Sequence, residues 1–351
     1  MRRRIIALFV LAALALAACG GKSKEPANKA KSVPSVPPTS EAPPTTAPPA
    51  APTAPLTGMP VAEPALLGRV ALIIKLDNAP EARPQAGLIE ADTVFEEQVE
   101  GGITRLAAVC QSSDASPVRP IRSARSTDIS IASELNKPLF GYSGANKVFL
   151  NLVRSSPLVD VGVDRIPAEY RRDGSRRAPH NLMATTAGLF KHAPAGSGPP
   201  PPLFLYRAAG EAASGAGIGP ASHLQVIFQS NRVTSIYDWD PAGGGWKRGQ
   251  NGTAHVDNAG RQVGPKNVIV QFVNYRNTGL VDPSGSPVPE ANLIGTGEAW
   301  VLTDGKIVKG TWTKPSAGAV TTYTDPAGAP IKLTPGQTWV ELAPPGGGTV
   351  A

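Results

Sequence analysis

Apolar and polar positions change pattern along this chain in four regions. The first is an uncharged apolar run from Ile5 to Ala15, directly behind Arg2, Arg3 and Arg4. It is too short for a stable bilayer span and fits the apolar stretch of a signal peptide. The second region, residues 22–55, has no apolar period at all and is almost entirely Lys, Ser, Pro, Thr and Ala. The third, 56–205, opens with the near-continuous apolar run Val70 to Leu76, the pattern of a strand buried on both faces. Thr93 to Val99 and Ile103 to Cys110 read as two further strands, with Gly101-Gly102 closing a hairpin between them. Helical spacing predicts a helix over Ser123 to Leu135, capped by Ser123 or Ser126. A strand at Pro138 to Tyr142 and helices at Ala145 to Val153 and Asn181 to His192 follow, before the breaker Pro199 to Pro202. In the fourth region short strands are expected at Val226–Phe228, Val233–Tyr237, Asn267–Tyr275, Glu298–Leu302, Ile307–Trp312, Val320–Tyr323 and Thr338–Leu342. Asp304-Gly305 is a strong hairpin signal between two of them. The pattern predicts an α+β or α/β N-terminal domain over 56–205, a linker at 206–221, a mostly-β C-terminal domain (a sandwich or small barrel) over 222–345, and a tail at 346–351.

Composition changes the picture at the N-terminus. Leu16-Ala17-Ala18-Cys19 places small residues before a cysteine just behind the apolar run, as a lipoprotein signal peptidase requires. Residues 1–18 are therefore expected to leave as a signal peptide. Cys19 becomes a diacylated (palmitate-type) N-terminus, and two acyl chains suffice for stable anchoring. Residues 19–55 then form a disordered tether, since such a segment has nothing to bury against its ordering entropy. Fully extended, it would reach on the order of 100 Å. The expected location is the outer face of the cytoplasmic membrane. The formal net charge of +7 falls by three when Arg2, Arg3 and Arg4 are removed, which leaves no argument for nucleic acid as a partner. With Cys19 acylated, Cys110 stands alone in an apolar run and reads as a core residue. The four histidines have no metal-ligand spacing, and no HExxH, GxSxG or phosphate-loop motif occurs. All five tryptophans lie beyond residue 222 and are expected in the core, with Trp239 and Trp246 the best placed for ligand stacking.

Several segments carry a resemblance. Leu56-Thr-Gly-Met-Pro60, Asp77-Asn78, Ala82-Arg-Pro-Gln-Ala-Gly87, Glu100-Gly-Gly-Ile-Thr-Arg105 and the stretch from Pro117 to Arg125 resemble the YerB-like lipoproteins. So do Gly295-Thr-Gly297, Gly310-Thr-Trp312 and Gly336-Gln-Thr-Trp339 in the C-terminal part. The resemblance implies a two-domain build and an extracytoplasmic location, and brings no assigned activity. One departure is visible. The family reads Gly-Pro-Val-Arg-Ser-Ala-Arg, whereas Pro120-Ile121 is inserted here, so Arg119 or Arg122 takes the first arginine position; the following Ser123-Ala124-Arg125 favours Arg122.

Candidate chemistry concentrates in the third region. Arg105, Arg119, Arg122, Ser123 and Arg125 form a basic group before a predicted helix, where free N–H groups favour an anion. Asp77, Asp92, Glu97 and Glu100 supply carboxylates, with Glu97 and Glu100 as a pair of the kind used in glycoside cleavage. Ser143, Asn146, Arg177, His180 and Asn181 make a secondary polar group. Three readings stay open: ion pairs that fix loops, an anion site without catalysis, and an enzyme. The expected function is a binding or assembly factor of the cell envelope that recognises a wall polymer, a polyprenyl phosphate or a protein partner. Under that reading no cofactor is called for. The alternative is an enzyme on a phosphate-containing envelope substrate. Ala91-Asp-Thr-Val and the Arg-rich turn are similar in spacing to the LytR–CpsA–Psr ligases. That resemblance implies Arg105, Arg122 and Arg125 on a polyprenyl pyrophosphate, with Asp77 and Asp92 holding Mg²⁺.

Overall fold

The structure is a computed structural model that describes residues 52–351 apart from Ala62, 229–231 and Pro283. The expected signal peptide, Cys19 and most of the tether lie outside the described residues. The N-terminal half contributes β1 (Leu72–Asp77), β2 (Thr93–Gln98), β3 (Thr104–Cys110), α1 (Ser126–Ala132), β4 (Leu139–Gly141), α2 (Lys147–Ser155), β5 (Val159–Asp160) and α3 (Thr186–Phe190). The C-terminal half is nearly all strand. It comprises β6 (His223–Phe228), β7 (Val233–Asp240), β8 (Gly245–Gln250), β9 (Asn267–Phe272), β10 (Tyr275–Val281), β11 (Pro287–Ala291), β12 (Gly295–Thr303), β13 (Lys306–Lys314), β14 (Thr322–Thr324), β15 (Thr338–Ala343) and β16 (Gly348–Val350). The mixed first half and β second half match the pattern of the sequence.

The two halves share one sheet. Its order is β14-β13-β12-β9-β15-β2-β3-β1-β4-β5. At the join, β15 lies between β9 and β2 and is parallel to both, with Thr338 opposite Asn267 on one side and Thr93 on the other. The segments 56–205 and 222–345 are thus parts of one compact unit, and the segment 206–221 runs within it.

Both faces of this sheet are covered, which is why its strands read as unbroken apolar runs. Leu72, Ile74, Leu106, Ala108, Val268 and Trp339 pack on one face, against Leu224, Phe228, Tyr237 and Trp246 of the smaller sheet β8-β7-β6-β16. Ile73, Phe95, Ala107, Val109, Ile269 and Val340 pack on the other, against Ile131, Ala132 and Val153 of the helices and against Leu203 and Phe204. Trp246 is fully buried, and its ring centroid lies 5.2 Å from that of Trp239, so this pair packs together. Gly101 and Gly102 both take positive φ in the β2–β3 turn. Asp304 and Gly305 do the same between β12 and β13, as a two-residue hairpin with matched twist demands.

Three elements differ from expectation. The helix expected over Asn181–His192 is only Thr186–Phe190. Leu182–Met183 pairs instead with Arg171–Arg172, and Thr185 starts the helix by accepting the Gly188 N–H at 3.1 Å. Helix α1 is shorter than Ser123–Leu135 and neither serine caps it: Arg125 stands at the N-cap, its N–H donating to Asp128 Oδ2 at 2.7 Å. The strand expected over Asn267–Tyr275 divides into β9 and β10, because β10 leaves the main sheet to pair with β11.

Candidate functional site

The side-chain alternation of β1 and β2 sorts the acids before any long-range contact does. On the helix-covered face, Lys75 is wholly buried within hydrogen-bonding reach of Glu97, and donates to Asp128 Oδ1 of α1 at 2.7 Å. Burial drives the Glu97 carboxyl up to about 7, with Lys75 opposing and Asp128 reinforcing that rise. Glu100, in the β2–β3 turn, accepts from Arg125 Nε at 2.7 Å and from Arg105 Nη2 at 2.9 Å. Burial pushes Glu100 up, but the Arg125 hydrogen bonds and the Arg105 charge outweigh it and hold the carboxyl at about 2. Burial and the neighbouring Arg125 pull the Arg105 guanidinium down to about 10, against the pull of Glu100.

The remaining candidates fall into separate places. Asp77 Oδ2 accepts from Arg122 Nε at 3.0 Å and lies 2.7 Å from His180 Nδ1, while its Oδ1 takes the Ala79 N–H. Arg119 pairs with Asp173 instead. Of the two arginines that compete for the family position, it is thus Arg122 that reaches β1. Asp92 accepts the Ser112 N–H at 2.8 Å as well as the Gln111 N–H and the Ser112 hydroxyl. Asn181 fastens the turn before it, accepting from Arg172 at 2.7 Å and donating to the Arg176 carbonyl at 3.2 Å; Arg177 is exposed. Asp77, Asp92, Glu97 and Glu100, the carboxylates expected for a metal or for glycoside cleavage, all accept from protein donors. Among the described residues no group of three or more His, Cys, Asp or Glu is placed to hold a metal ion.

Four of the candidates do meet. Ser123, Arg125, Ser143 and Asn146 line one cleft of about 590 Å³, with Phe149 of α2 and with Val281, Asp282 and Val288 of the β10–β11 hairpin. Asn146 caps α2, its side chain accepting the Val148 N–H at 2.8 Å, so the positive end of that helix faces the cleft. Glu100 is the one carboxylate shared by Arg105 and Arg125, so this ion cluster keeps one net positive charge behind the cleft. On the facing wall the Ser284 hydroxyl, with the Ser286 and Ser284 N–H groups, holds the Asp282 carboxyl below its ordinary range against its slight burial.

A second buried network escaped sequence reasoning. Glu96, on the opposite face of β2 from Glu97, accepts from Arg248 Nη2 at 2.5 Å, Ser235 Oγ at 3.0 Å and Asn78 Nδ2 at 3.1 Å. Arg248 also donates to Tyr237 Oη at 3.1 Å, contacts His255, and lies over the Trp339 ring at 4.7 Å. Burial, with the charge of Glu96 added, pushes the Glu341 carboxyl well above the usual carboxylate range. Burial and Arg248 hold His255 neutral. The available signal was the alternation Trp246-x-Arg248-x-Gln250, which puts Arg248 on the core face of β8.

The fold and these clusters define an α+β protein with several buried ion clusters, and comparison with known proteins gives the family. Residues 56–197 match the N-terminal domain, and 224–340 the C-terminal domain, of the proteins of unknown function DUF3048. The chain belongs to this YerB-like lipoprotein family. It is 25% identical over 297 residues, 82% of this chain and 85% of the relative, to the Bacillus subtilis (strain 168) protein named "Putative lipoprotein YerB". The crystal structure of YerB from Bacillus subtilis has the same fold, with a TM-score of 0.72 at 22% identity, covering 85% of this chain and 99% of that one. Membership in a lipoprotein family implies a membrane-anchored location. Among the described residues no helix is long and apolar enough to cross a membrane.

Proposed function

We propose that this chain is a binding or assembly factor of the cell envelope, lipid-anchored through Cys19 on the outer face of the cytoplasmic membrane. Its ligand is an anionic, hydroxyl-rich envelope polymer held in the cleft of Ser123, Arg125, Ser143 and Asn146. The observation that carries this reading is the shared carboxylate. One Glu100 serves two guanidiniums, which leaves that cluster one positive charge behind a cleft that the N-terminus of α2 also faces, with the Asp282 carboxylate on the opposite wall. A phosphate-bearing polymer supplies the charge for that end, and its hydroxyls suit the two serines and Asn146. The enzyme reading has less support, because Asp77 and Asp92 each already satisfy several protein donors.

Calorimetric titration of the chain from Gly20 onward with poly(glycerol phosphate) tests the proposal, with Asn146→Asp as the variant. Aspartate caps a helix as well as asparagine does, so the fold is retained while a negative charge enters the cleft. Binding that weakens severalfold in Asn146→Asp, at unchanged melting temperature, is the expected result. Equal binding by both proteins would remove the cleft from the function. Mg²⁺-dependent binding of a short-chain polyprenyl pyrophosphate, with no binding of the polymer, would favour the enzyme.

A further inference from the structure

On the C-terminal half a pocket of about 360 Å³ opens over the helix-covered face of the sheet. Leu203, Phe204, Ile269, Val301, Tyr323 and Leu333 line it, and no charged residue does. Three of its four hydroxyls are turned to the protein. Tyr323 donates to Gln271 Oε1 at 2.8 Å, Thr321 to Glu134 Oε2 at 3.1 Å, and Thr322 to the Thr313 carbonyl at 3.2 Å. What the pocket offers a guest is therefore hydrocarbon contact. Leu205, one of the few large apolar side chains left half exposed, continues that surface outward from the wall.

The chain enters the folded unit beside this pocket. Leu56 accepts from Tyr206 Oη at 2.5 Å, and Tyr206 pairs with Leu333 of the lining. The N-terminal end of the described residues thus packs beside this pocket. We infer that this pocket holds a single aliphatic chain, from a membrane lipid or a free fatty acid, at a site separate from the polar cleft. A volume of 360 Å³ lies within the range of ligand sites. It accommodates on the order of ten methylenes, each about the size of a water molecule.

The test is displacement of a fluorescent fatty acid from the chain from Gly20 onward, first by fatty acids and then by lysophospholipids of rising chain length. Binding that tightens about fourfold per added methylene until the pocket fills is expected. Val320→Trp, which adds bulk at a partly exposed lining position, should weaken it roughly tenfold or more at unchanged melting temperature. Displacement by fatty acids alone assigns the free acid as the source, and displacement by lysophospholipids assigns a membrane lipid. No binding of either, affinity independent of chain length, or full binding by a folded Val320→Trp overturns the inference.

Discussion

Glu96 and Glu97 are consecutive on β2 and lie on opposite faces of one sheet, each buried and each placed against a different cation. Glu97 meets Lys75 of β1, which also pairs with Asp128 of α1, and Glu96 meets Arg248 from the second sheet. The pair fastens a covering layer to each face of the same strand. Charge burial of this kind tolerates no partial removal, because the partner left behind stays in a dry interior.

Arg248→Met should accordingly destabilise the protein by about 3–5 kcal/mol, since Glu96 would lose its ion-pair partner in a dry interior. Glu96→Gln in the same background should recover part of that loss. Denaturant unfolding of the two single variants and the double variant reads the coupling; strict additivity would mean that the two side chains do not act as a pair.

The carboxyl of Glu97 gives a pH dependence of definite sign. Its value is about 7 in the folded protein, against an ordinary 4.5 in the unfolded chain. Between those values the native state holds a proton that the unfolded chain has released. Its contribution is complete below about pH 4.5 and is lost as pH rises through 7, with a slope of at most about 1.4 kcal/mol per pH unit. Lys75, Asp128 and Thr127 surround the group, and Glu97→Gln keeps the shape while deleting the titration. His255, held neutral, acts in the opposite sense near its ordinary 6.5, so the comparison must be made between variant and wild type. Stability of Glu97→Gln relative to wild type should rise steadily from pH 5 to pH 7, and a flat difference would refute the assignment.

Much of this framework was readable before the fold was known. The strands β1, β2 and β3 follow from apolar runs, the Gly101-Gly102 and Asp304-Gly305 turns from their backbone demands, and the charged residues around Arg125 from the turn that carries them. The grouping of Ser123, Arg125, Ser143 and Asn146 was visible only as two sets, because the cleft's far wall comes from the β10–β11 hairpin. Lys75 was overlooked although a lysine inside Val70–Leu76 is itself a sign of a buried partner. The join of the halves had no local signature, since it places Thr93 beside Thr338.

Glu100 sets the acid limit of the same region. Its carboxyl lies at about 2, well below the ordinary 4.5, so its stabilisation is present above pH 4.5 and is lost as pH falls toward 2. Glu100→Gln leaves Arg105 and Arg125 facing each other without a carboxylate. That variant should be clearly less stable than wild type at pH 7, and the gap should narrow as pH falls below 4.5 and go on closing toward pH 2. A gap that persists unchanged in acid would show that shape, not charge, is what Glu100 provides.

Cys110 reports on the whole sheet. It ends β3 at 1% exposure, and burial, reinforced by the charge of Asp92, pushes its thiol far above the ordinary range. A thiol so placed is both unreachable and protonated, and the thiolate is the reactive form. Alkylation at pH 8 should therefore proceed only through opening of the β1–β3 ladder, where Cys110 sits opposite Leu72. The rate should rise with denaturant in parallel with unfolding measured by tryptophan fluorescence, and Arg248→Met should raise its logarithm in proportion to the lost stability. Fast alkylation of the intact protein, independent of denaturant, would mean that this edge of the core opens on its own.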